Sequence, residues 1–295
     1  GLLLDITSVI EKNKDVFTMA AFDGATVDGK IYAYAPDLPT RVIYYSKDDL
    51  AKIGWTEEQI EALPGRVASG EFTFEDFIAL CNEVVAKGGA KYGLEHRPGK
   101  GSDFLDIMKT LGCEYYTPNG DLVFDSEGIL RFFQFTYDNA NVTKITPNNL
   151  NQMGWSTINL HVGTGETFAY YGPVYSAGYV AGAAKLTNAE LAAQEAFILF
   201  PKSQYTDGPF TVAAPQYIGV SADTKYPEIC KDILDELSNG SSDLLAHHGA
   251  KINSLLAVKA ANENEEVLAN PVIGDITYMT DYAVTVPSIN GLNIF

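Results

Sequence analysis

The chain has few basic residues and few cysteines. Its 295 residues include 20 lysines and arginines against 38 aspartates and glutamates, which gives a formal net charge of −18. A field of this sign repels nucleic acids and anionic membrane surfaces, so neither is an expected partner, whereas a neutral or cationic small ligand is compatible with it. The three cysteines, Cys81, Cys113 and Cys230, form neither a CxxC motif nor a disulfide framework. Cys81 and Cys230 fall on apolar faces of predicted helices and are expected to be buried thiols.

Signature motifs for nucleotides, metals and covalent catalysis are also missing. The sequence has no GxGxxG or GxxxxGK(S/T) loop, no HxxxH or HExxH pair and no GxSxG elbow. Its four histidines, His96, His161, His247 and His248, lack the spacing of metal ligands. We therefore predict no cofactor, no metal site and no catalytic residue. Carboxylates are abundant and leave a glycosidase pair open, although no two of them are singled out.

Long apolar runs are absent as well, and none approaches the ~18 residues of a membrane helix. A hydrophobic content of 46% is that of a globular protein, and the length favours two lobes over a single core. Helix-starting residues alternate with short β-branched runs, so we predict an α/β architecture with mostly parallel sheets. The predicted helix starts are Thr56, Thr73, Ser126 and Pro227, and the predicted strands are 31–35, 42–45, 197–200, 210–214 and 217–220.

The stretch from Gly165 to Tyr175 concentrates aromatic side chains beside a Gly-Pro turn. Three tyrosines, Tyr170, Tyr171 and Tyr175, lie within six residues. Strands that end at a Gly-Pro break present their last side chains at a rim, where tyrosines can stack on a flat apolar face while their hydroxyls meet polar edges. That chemistry suits sugar binding. An ordinary strand with aromatic core residues explains the pattern equally well, so the residues alone leave both interpretations open.

A second irregular stretch runs from Ala35 to Arg41, between two apolar strand candidates. Its two prolines argue against a sheet interior. We favour a position in a cleft for Asp37, while Arg41 is equally compatible with a cleft and with solvent.

Five short segments occur in a fixed order along the chain. They are 1–7 (GLLLDIT), 28–36 (DGKIYAYAP), 43–48 (IYYSKD), 72–77 (FTFEDF) and 165–175 (GETFAYYGPVY). In this order they resemble segments of the extracellular sugar-binding subunits of bacterial ABC importers, the family of maltose-binding protein. The sequence departs from that family at Ser46, Phe74 and Val174, where the family has Asn, Trp and a stacking Trp. The match weakens after residue 175 but continues through 210–220 and 252–258.

The resemblance implies an α/β, two-lobed periplasmic-binding-protein-like fold with a ligand cleft between the lobes. The implied first lobe is 1–36 with 216–250, the second is 42–210 with 255–295, and the crossings lie near 33–41, 210–220 and 251–258. The family carries several first-lobe strands ahead of the segment that matches Gly1, so the first lobe is expected to be N-terminally incomplete. We expect the natural protein to be longer at both ends, with any signal or lipid-attachment segment outside this chain.

The resemblance also implies ligand-binding residues in both lobes. They are Asp37, Thr40, Arg41, Ser102, Asp103, Tyr170, Tyr171, Tyr175, Gln216, Tyr217 and Asn253. Because Val174 stands where the family stacks a Trp, stacking on the sugar is expected to shift to Tyr171 or Tyr175. Hydrogen bonds to sugar hydroxyls are expected from Asp37, Asp103, Gln216 and Asn253.

The function implied is that of a non-catalytic, monomeric receptor outside the cell membrane, tethered by a lipid anchor. It would capture a carbohydrate by hinge closure of its lobes and deliver it to membrane permease subunits. Two alternatives stay open. One is a binding protein of the same fold for a polyamine or a peptide, since an acidic cleft favours cations. The other is an extracellular glycan-degrading enzyme, which would need two carboxylates at hydrolytic separation.

Overall fold

The computed structural model describes residues 1–97, 102–117 and 121–285, with the side chains of Ser102 and Asp103 outside the described part. Helices and short strands alternate along it, which confirms the predicted α/β class. Within these ranges, no helix combines the length and the apolar character that crossing a bilayer requires.

The chain divides into two compact units. The first comprises Gly1–Thr40 and the described residues from Thr211 onward, and the second comprises Arg41–Phe210. The chain therefore leaves the first unit after Thr40 and returns to it at Thr211, close to two of the predicted crossings.

The described residues form thirteen α-helices, most of them short. They are α1 (Thr7–Lys12), α2 (Lys47–Lys52), α3 (Glu57–Ala68), α4 (Phe74–Ala86), α5 (Ser102–Thr110), α6 (Ser126–Tyr137), α7 (Trp155–Gly163), α8 (Ala177–Ala184), α9 (Asn188–Gln194), α10 (Pro227–Asn239), α11 (Ser242–Ile252), α12 (Lys259–Asn262) and α13 (Glu265–Leu268). Segments of 3₁₀ or π helix cover Lys14–Val16, Met19–Ala25, Asp138–Val142, Leu150–Gln152, Val174–Ser176 and Gly274–Tyr282.

The described residues also form ten β-strands, of which two are seven residues long and the others have two to four residues. They are β1 (Thr26–Val27), β2 (Lys30–Ile31), β3 (Ala33–Tyr34), β4 (Thr40–Ser46), β5 (Tyr92–Glu95), β6 (Thr167–Pro173), β7 (Glu195–Ile198), β8 (Thr211–Ala213), β9 (Ile218–Gly219) and β10 (Ala283–Thr285).

Local side-chain caps start several helices where the sequence predicts them. Thr56 accepts a hydrogen bond from the Gln59 backbone and the Gln59 side chain accepts one from the Thr56 backbone, so α3 begins with a capping box. Thr73 and Asp76 form the same reciprocal pair at α4. Helix α6 begins at Ser126, but the capping side chain is that of the preceding residue, Asp125.

The sheet of the second unit is built around β4. Strand β6 pairs with it antiparallel, with Ile43 opposite Tyr171, and β7 pairs with it antiparallel through Tyr44 and Phe197. Strand β5 lies parallel to β6 at the other side, giving the order β7-β4-β6-β5. Every residue of β6 except Pro173 is buried, so this strand runs through the interior.

The predicted predominance of parallel pairing is wrong for the pairings described within each unit. Four of these pairings are antiparallel, β1-β2, β3-β9, β4-β6 and β4-β7, and two are parallel, β5-β6 and β8-β10. The alternation of helices with strands suggested βαβ crossovers, but a connection containing a helix can also return the chain in the opposite direction.

Aromatic rings fill the interior of the second unit. Phe200 lies at the centre, with ring centroids 4.8 Å from Tyr171 and 5.3 Å from both Phe74 and Phe210. Such offset and edge-to-face pairs add roughly 0.5–1.5 kcal/mol each beyond the area they bury. Cys81 of α4 lies buried in the same unit, as predicted.

The first unit has a separate core, in which Phe17 packs edge-to-face on Phe22 at 4.9 Å and on Tyr34 at 5.9 Å. Cys230 of α10, predicted to be buried, is only half-buried. The preceding residue, Ile229, is exposed. Helix α10 buries Leu234 and Ser238, so only part of its apolar stripe faces the core.

The segment around residues 255–258 also belongs to the first unit. The Leu38 N–H donates to the Leu255 carbonyl at 2.7 Å, and the Thr18 N–H donates to the Ala257 carbonyl at 2.9 Å. These hydrogen bonds, with the complete burial of Leu255 and Leu256, place residues 255–285 with Gly1–Thr40. The expected assignment of this stretch to the second lobe is therefore corrected.

Candidate functional site

The Gly-Pro turn at the end of β6 is held rigidly. The hydroxyl of Tyr44, a buried residue of β4, donates to the carbonyl of Pro173 at 2.7 Å and reaches that of Val174 at 3.0 Å. Strand β6 stops at Pro173, a 3₁₀ turn follows, and α8 begins at Ala177. The turn thereby fixes where Tyr175 and Ser176 emerge from the interior of the second unit.

A pocket of about 430 Å³ opens beside this turn, within the second unit. It is lined by Arg41, Arg97, Trp155, Asn159, Pro173, Tyr175, Ser176 and Tyr179. Three of its aromatic rings are partly open to solvent, with exposed fractions of 43% for Trp155, 42% for Tyr175 and 66% for Tyr179. The pocket thus combines exposed ring surface with guanidinium, amide and hydroxyl groups, the combination typical of small-molecule sites.

Arg97 follows β5 and leans over an aromatic ring. Its guanidinium carbon lies 5.9 Å from the centroid of the Trp155 ring, within cation–π range. The imidazole of His96 is bonded to the Arg97 carbonyl at 3.0 Å, and since a carbonyl only accepts, Nδ1 carries the proton. This bond fixes the backbone from which Arg97 projects.

Arg41 forms an ion pair with the buried carboxylate of Asp106. Its Nη1 lies 3.3 Å from Oδ2 of Asp106, and the side chains of the two residues are 12% and 1% exposed. The hydroxyl of Tyr171 donates to the same Oδ2 at 2.7 Å. Residues from β4, α5 and β6 therefore meet at one carboxylate, directly under a residue that lines the pocket.

A second buried carboxylate ties β5 to α7. Oε1 of Glu95, at the end of β5, lies 2.8 Å from Nδ1 of His161 in α7. Burial raises the pKa of Glu95, and the hydrogen bond from His161 partly offsets this. Since β5 leads into Arg97 and α7 carries Trp155 and Asn159, this contact aligns two sides of the pocket.

Comparison with known proteins identifies the fold. The chain superposes on the sugar-binding protein MalE of Xanthomonas citri with a TM-score of 0.78 at 13% identity, covering 98% of this chain and 69% of that one. It superposes on the GacH receptor of Streptomyces glaucescens, solved unliganded and with acarbose, with a TM-score of 0.73 at 18% identity, covering 100% and 70%. The chain has the fold of the MalE-like solute-binding proteins.

Curated sequences point to the same group of proteins. The arabinooligosaccharide-binding protein of Bacillus subtilis is 23% identical over 145 residues, which is 49% of this chain and 31% of that protein. The match thus spans less than a third of the length of that relative. No protein-family model matches the chain. The resemblance predicted from the five ordered segments is confirmed by the MalE-like fold and by these relatives.

Within this MalE-like fold, the Gly-Pro motif contributes differently from the sequence-based expectation. Tyr170 and Tyr171 are 0% and 2% exposed, because β6 lies between two other strands and both of its faces are covered. Enclosed rings cannot stack on a ligand, so Tyr171 is corrected from a stacking residue to a support of Asp106. Val174 is fully buried, and Tyr175, the other predicted stacking residue, lines the pocket. Its contact with a ligand stays a prediction.

Of the remaining predicted residues in the second unit, Arg41 lines the pocket. The side chains of Ser102 and Asp103 lie outside the described residues.

The predicted residues of the first unit occupy two kinds of position. Asp37 is 3% exposed and its Oδ1 accepts from the Gln216 N–H at 3.0 Å, while burial raises its pKa. Asn253 is equally buried, adopts a left-handed conformation with φ 52° at the end of α11, and accepts from Asn270. Both side chains thus make hydrogen bonds to other residues of the first unit, and their binding of ligand hydroxyls stays a prediction.

The three others in that unit differ in accessibility. Thr40 is fully buried, and no hydrogen-bond partner for its hydroxyl lies in the described part of the chain. Gln216 is exposed. Tyr217 is 38% exposed, donates its hydroxyl to the Ala21 carbonyl at 2.9 Å and has its pKa raised to about 12, chiefly by burial.

Six residues that line the pocket were not among the predicted site residues. They are Arg97, Trp155, Asn159, Pro173, Ser176 and Tyr179. A weak signal existed for Trp155, one of two tryptophans in the chain, at the start of a helix. Arg97 carried no local signal, because only the pairing of β5 with β6 brings it to the pocket. In the described ranges, no group of three histidine, cysteine or carboxylate side chains is placed to hold a metal ion.

Proposed function

We propose that this protein is the solute-binding component of an ABC importer, which captures a carbohydrate and delivers it to a membrane permease. The observation that carries this proposal is the pocket beside the Gly-Pro turn. There Trp155, Tyr175 and Tyr179 offer partly exposed rings next to the polar side chains of Asn159 and Ser176.

The chemistry of the pocket suits a sugar ring. A pyranose has apolar C–H faces that pack on aromatic rings, and hydroxyl edges that need hydrogen-bond partners. The side chains of Asn159 and Ser176 line the pocket and supply polar groups on its wall. A hydroxyl left unpaired in such a site costs roughly 1–3 kcal/mol, which makes these polar groups the source of selectivity.

The relatives support this assignment. The named protein of Bacillus subtilis is an arabinooligosaccharide-binding protein. Among proteins of the same fold are a MalE3 solved with maltose and a cyclo/maltodextrin-binding protein solved with maltotetraose. The first and last of these are named as binding proteins and MalE3 was solved with maltose bound, and we propose a non-catalytic role outside the cell membrane for this chain. Hinge closure, a lipid anchor and a monomeric state stay predictions.

The proposal is tested by titration calorimetry of the full chain against a panel of mono- and oligosaccharides. We expect saturable binding of at least one member without turnover. Replacing Trp155 or Tyr175 by alanine should weaken binding at least about tenfold, since buried aromatic anchors dominate such sites. Tyr137→Ala is the matched control, because Tyr137 is 59% exposed in the same unit and does not line the pocket.

Two outcomes would overturn the proposal. One is failure of the folded protein to bind any member of the panel. The other is release of shortened glycans that stops when a carboxylate is replaced, which would favour the glycan-degrading alternative.

A further inference from the structure

The charge of the pocket is opposite to that of the whole chain. The protein carries a formal net charge of −18, yet the described residues that line the pocket include two arginines and no carboxylate. Covering a charge without giving it a partner is unfavourable. An arginine that ligand binding would cover therefore favours a ligand that carries a negative charge.

Arg97 is the pocket cation without a carboxylate partner among the described residues. Arg41 is neutralised by Asp106 at 3.3 Å, whereas no carboxylate in the described ranges lies within ion-pairing distance of Arg97. Arg97 also lines a neighbouring cavity of about 490 Å³, whose other lining residues in the described part of the chain include Phe104 and Asn148 but no carboxylate. The guanidinium of Arg97 therefore lies between two cavities that could hold a ligand.

The backbone adds positive potential at the same place. Helix α7 starts at Trp155, and no side chain accepts a hydrogen bond from its first N–H groups. Helix α8 instead continues from the 3₁₀ turn Val174–Ser176, where the Ala177 N–H already donates to the Val174 carbonyl. The uncapped N–H groups of a helix start favour negative charge. Ser176 is 8% exposed, lines the pocket, and its hydroxyl makes no hydrogen bond to any described residue, so a donor is available there.

We propose that the carbohydrate bound in this pocket is anionic. Its sugar ring packs on Trp155 and Tyr175, and its acidic group, a carboxylate or a sulfate, is bound by Arg97 and by the hydroxyl of Ser176. A guanidinium presents paired N–H donors that match either group with charge-assisted hydrogen bonds. This inference rests on the function proposed above. It also disfavours the polyamine alternative, because a cation would be repelled by Arg97.

The net charge of the chain does not prevent such binding. At physiological ionic strength, charges are screened over about 8 Å, so a local arginine outweighs distant carboxylates. The remaining repulsion lowers the association rate, while contacts within the pocket set the dissociation rate.

The test compares each acidic ligand with its own neutral form. The full chain is titrated with an oligogalacturonide, with the same oligosaccharide after carboxyl reduction, with a sulfated galactan oligosaccharide and with its desulfated form. We expect the oligogalacturonide, the sulfated oligosaccharide or both to bind at least about tenfold more tightly than the neutral counterpart. The arm that shows the preference identifies the acidic group.

The outcomes separate this inference from the proposed function. If the neutral forms bind as tightly as the acidic ones, or more tightly, the inference is overturned while the proposed function as a carbohydrate receptor still holds. Absence of binding in all four titrations and across the neutral panel would overturn both.

A pair of charge-matched variants examines Arg97 directly. Arg97→Gln should weaken binding of the acidic ligand at least about tenfold more than it weakens binding of the matched neutral ligand. Arg66→Gln removes the same charge from an exposed site in the same unit, where the guanidinium lies 5.5 Å over Phe72, and should change neither. Equal loss of both ligand types in Arg97→Gln, with the fold intact by circular dichroism, would contradict the assignment.

Discussion

Tyr171 donates its hydroxyl to Oδ2 of Asp106 at 2.7 Å, and Arg41 lies 3.3 Å from the same oxygen. Tyr171 and Asp106 are 2% and 1% exposed, so the hydrogen bond is shielded from water. It joins the middle of β6 to α5 and holds Asp106 in position to bind an arginine at the pocket wall. An aromatic residue of the Gly-Pro motif therefore acts on the pocket through two other side chains.

Replacing Tyr171 by phenylalanine should lower the free energy of unfolding by about 1–3 kcal/mol, because a buried carboxylate would lose a donor. Urea denaturation of the wild-type protein and the variant measures this difference.

A double-mutant cycle with Asp106→Asn isolates the pair. The double variant should lose less stability than the sum of the single losses, with a coupling energy of at least about 0.5 kcal/mol. A coupling energy near zero would mean that Tyr171 stabilises the unit only by packing against Phe200.

Local features of the fold could be predicted from the sequence because they depend on neighbouring residues. The helix starts at Thr56 and Thr73 depend on side chains only three positions apart, and both helices begin where they were predicted. Long-range features could not be predicted in the same way. The direction of pairing between β4 and β6 depends on a connection of more than a hundred residues, and the expected parallel pairing was wrong.

The candidate site shows the same division. Tyr175 follows the Gly-Pro break in sequence, and the structure places it at the pocket. Tyr170 precedes the break, and its ring folds over Gly172, where any side chain would overlap it. No local pattern distinguishes a rim tyrosine from one that fills an interior strand, because that depends on which strands lie on either side. Arg97 and Trp155 are 58 positions apart and meet only in the folded unit.

Gly163 sets the separation of the two helices that carry Trp155 and Tyr179. A Cβ atom at Gly163 would lie 2.6 Å from the Cβ of Ala184 and 2.9 Å from the carbonyl oxygen of Val180. Gly163→Ala should therefore destabilise the protein by about 1–3 kcal/mol through overpacking, against a helix-propensity gain of up to ~1 kcal/mol. The change in the midpoint of urea denaturation gives the sign and size.

Gly182→Ala provides the comparison for this prediction. Gly182 lies inside α8, and a Cβ atom there would have no neighbour within 4 Å. This variant should be neutral or more stable by up to about 1 kcal/mol. If both variants behave alike, the close approach of α7 and α8 at Gly163 is not a constraint.

Two buried acidic residues make stability fall as the pH rises. Burial raises the pKa of Glu195 well above its ordinary value, with a further contribution from the nearby charge of Asp49, and burial also raises the pKa of Asp49. Because the folded chain holds these protons more tightly than the unfolded chain, their favourable contribution is full below pH ~4 and is lost as the pH rises toward the folded pKa values.

Glu195→Gln mimics the protonated form and removes that penalty. The variant should match the wild type near pH 4 and exceed it at pH 8 by roughly 1 kcal/mol or more, as measured by urea denaturation at each pH. Glu190→Gln serves as the opposite case. Hydrogen bonds from Thr187 lower the pKa of the exposed Glu190, so this variant should lose stability at pH 8. A gain at pH 8 in Glu190→Gln, or none in Glu195→Gln, would contradict the assignment.

The contact between His161 and Glu95 should matter for both stability and binding. Glu95 has no exposed side-chain surface. His161→Leu removes the hydrogen-bond donor to this buried carboxyl group and should lower the free energy of unfolding by about 1–3 kcal/mol. Because the contact aligns β5 with α7, ligand affinity should fall too, although His161 does not line the pocket.

His161→Asn separates the hydrogen bond from the bulk of the ring. The asparagine amide can place an N–H near the position of Nδ1, so this variant should recover part of both the stability and the affinity that the leucine variant loses. Denaturation and calorimetry on the three proteins give the comparison. Equal losses in the two variants would show that the imidazole contributes by packing beside Tyr92, 6.0 Å away between ring centroids, and that the bond to Glu95 does not align the pocket.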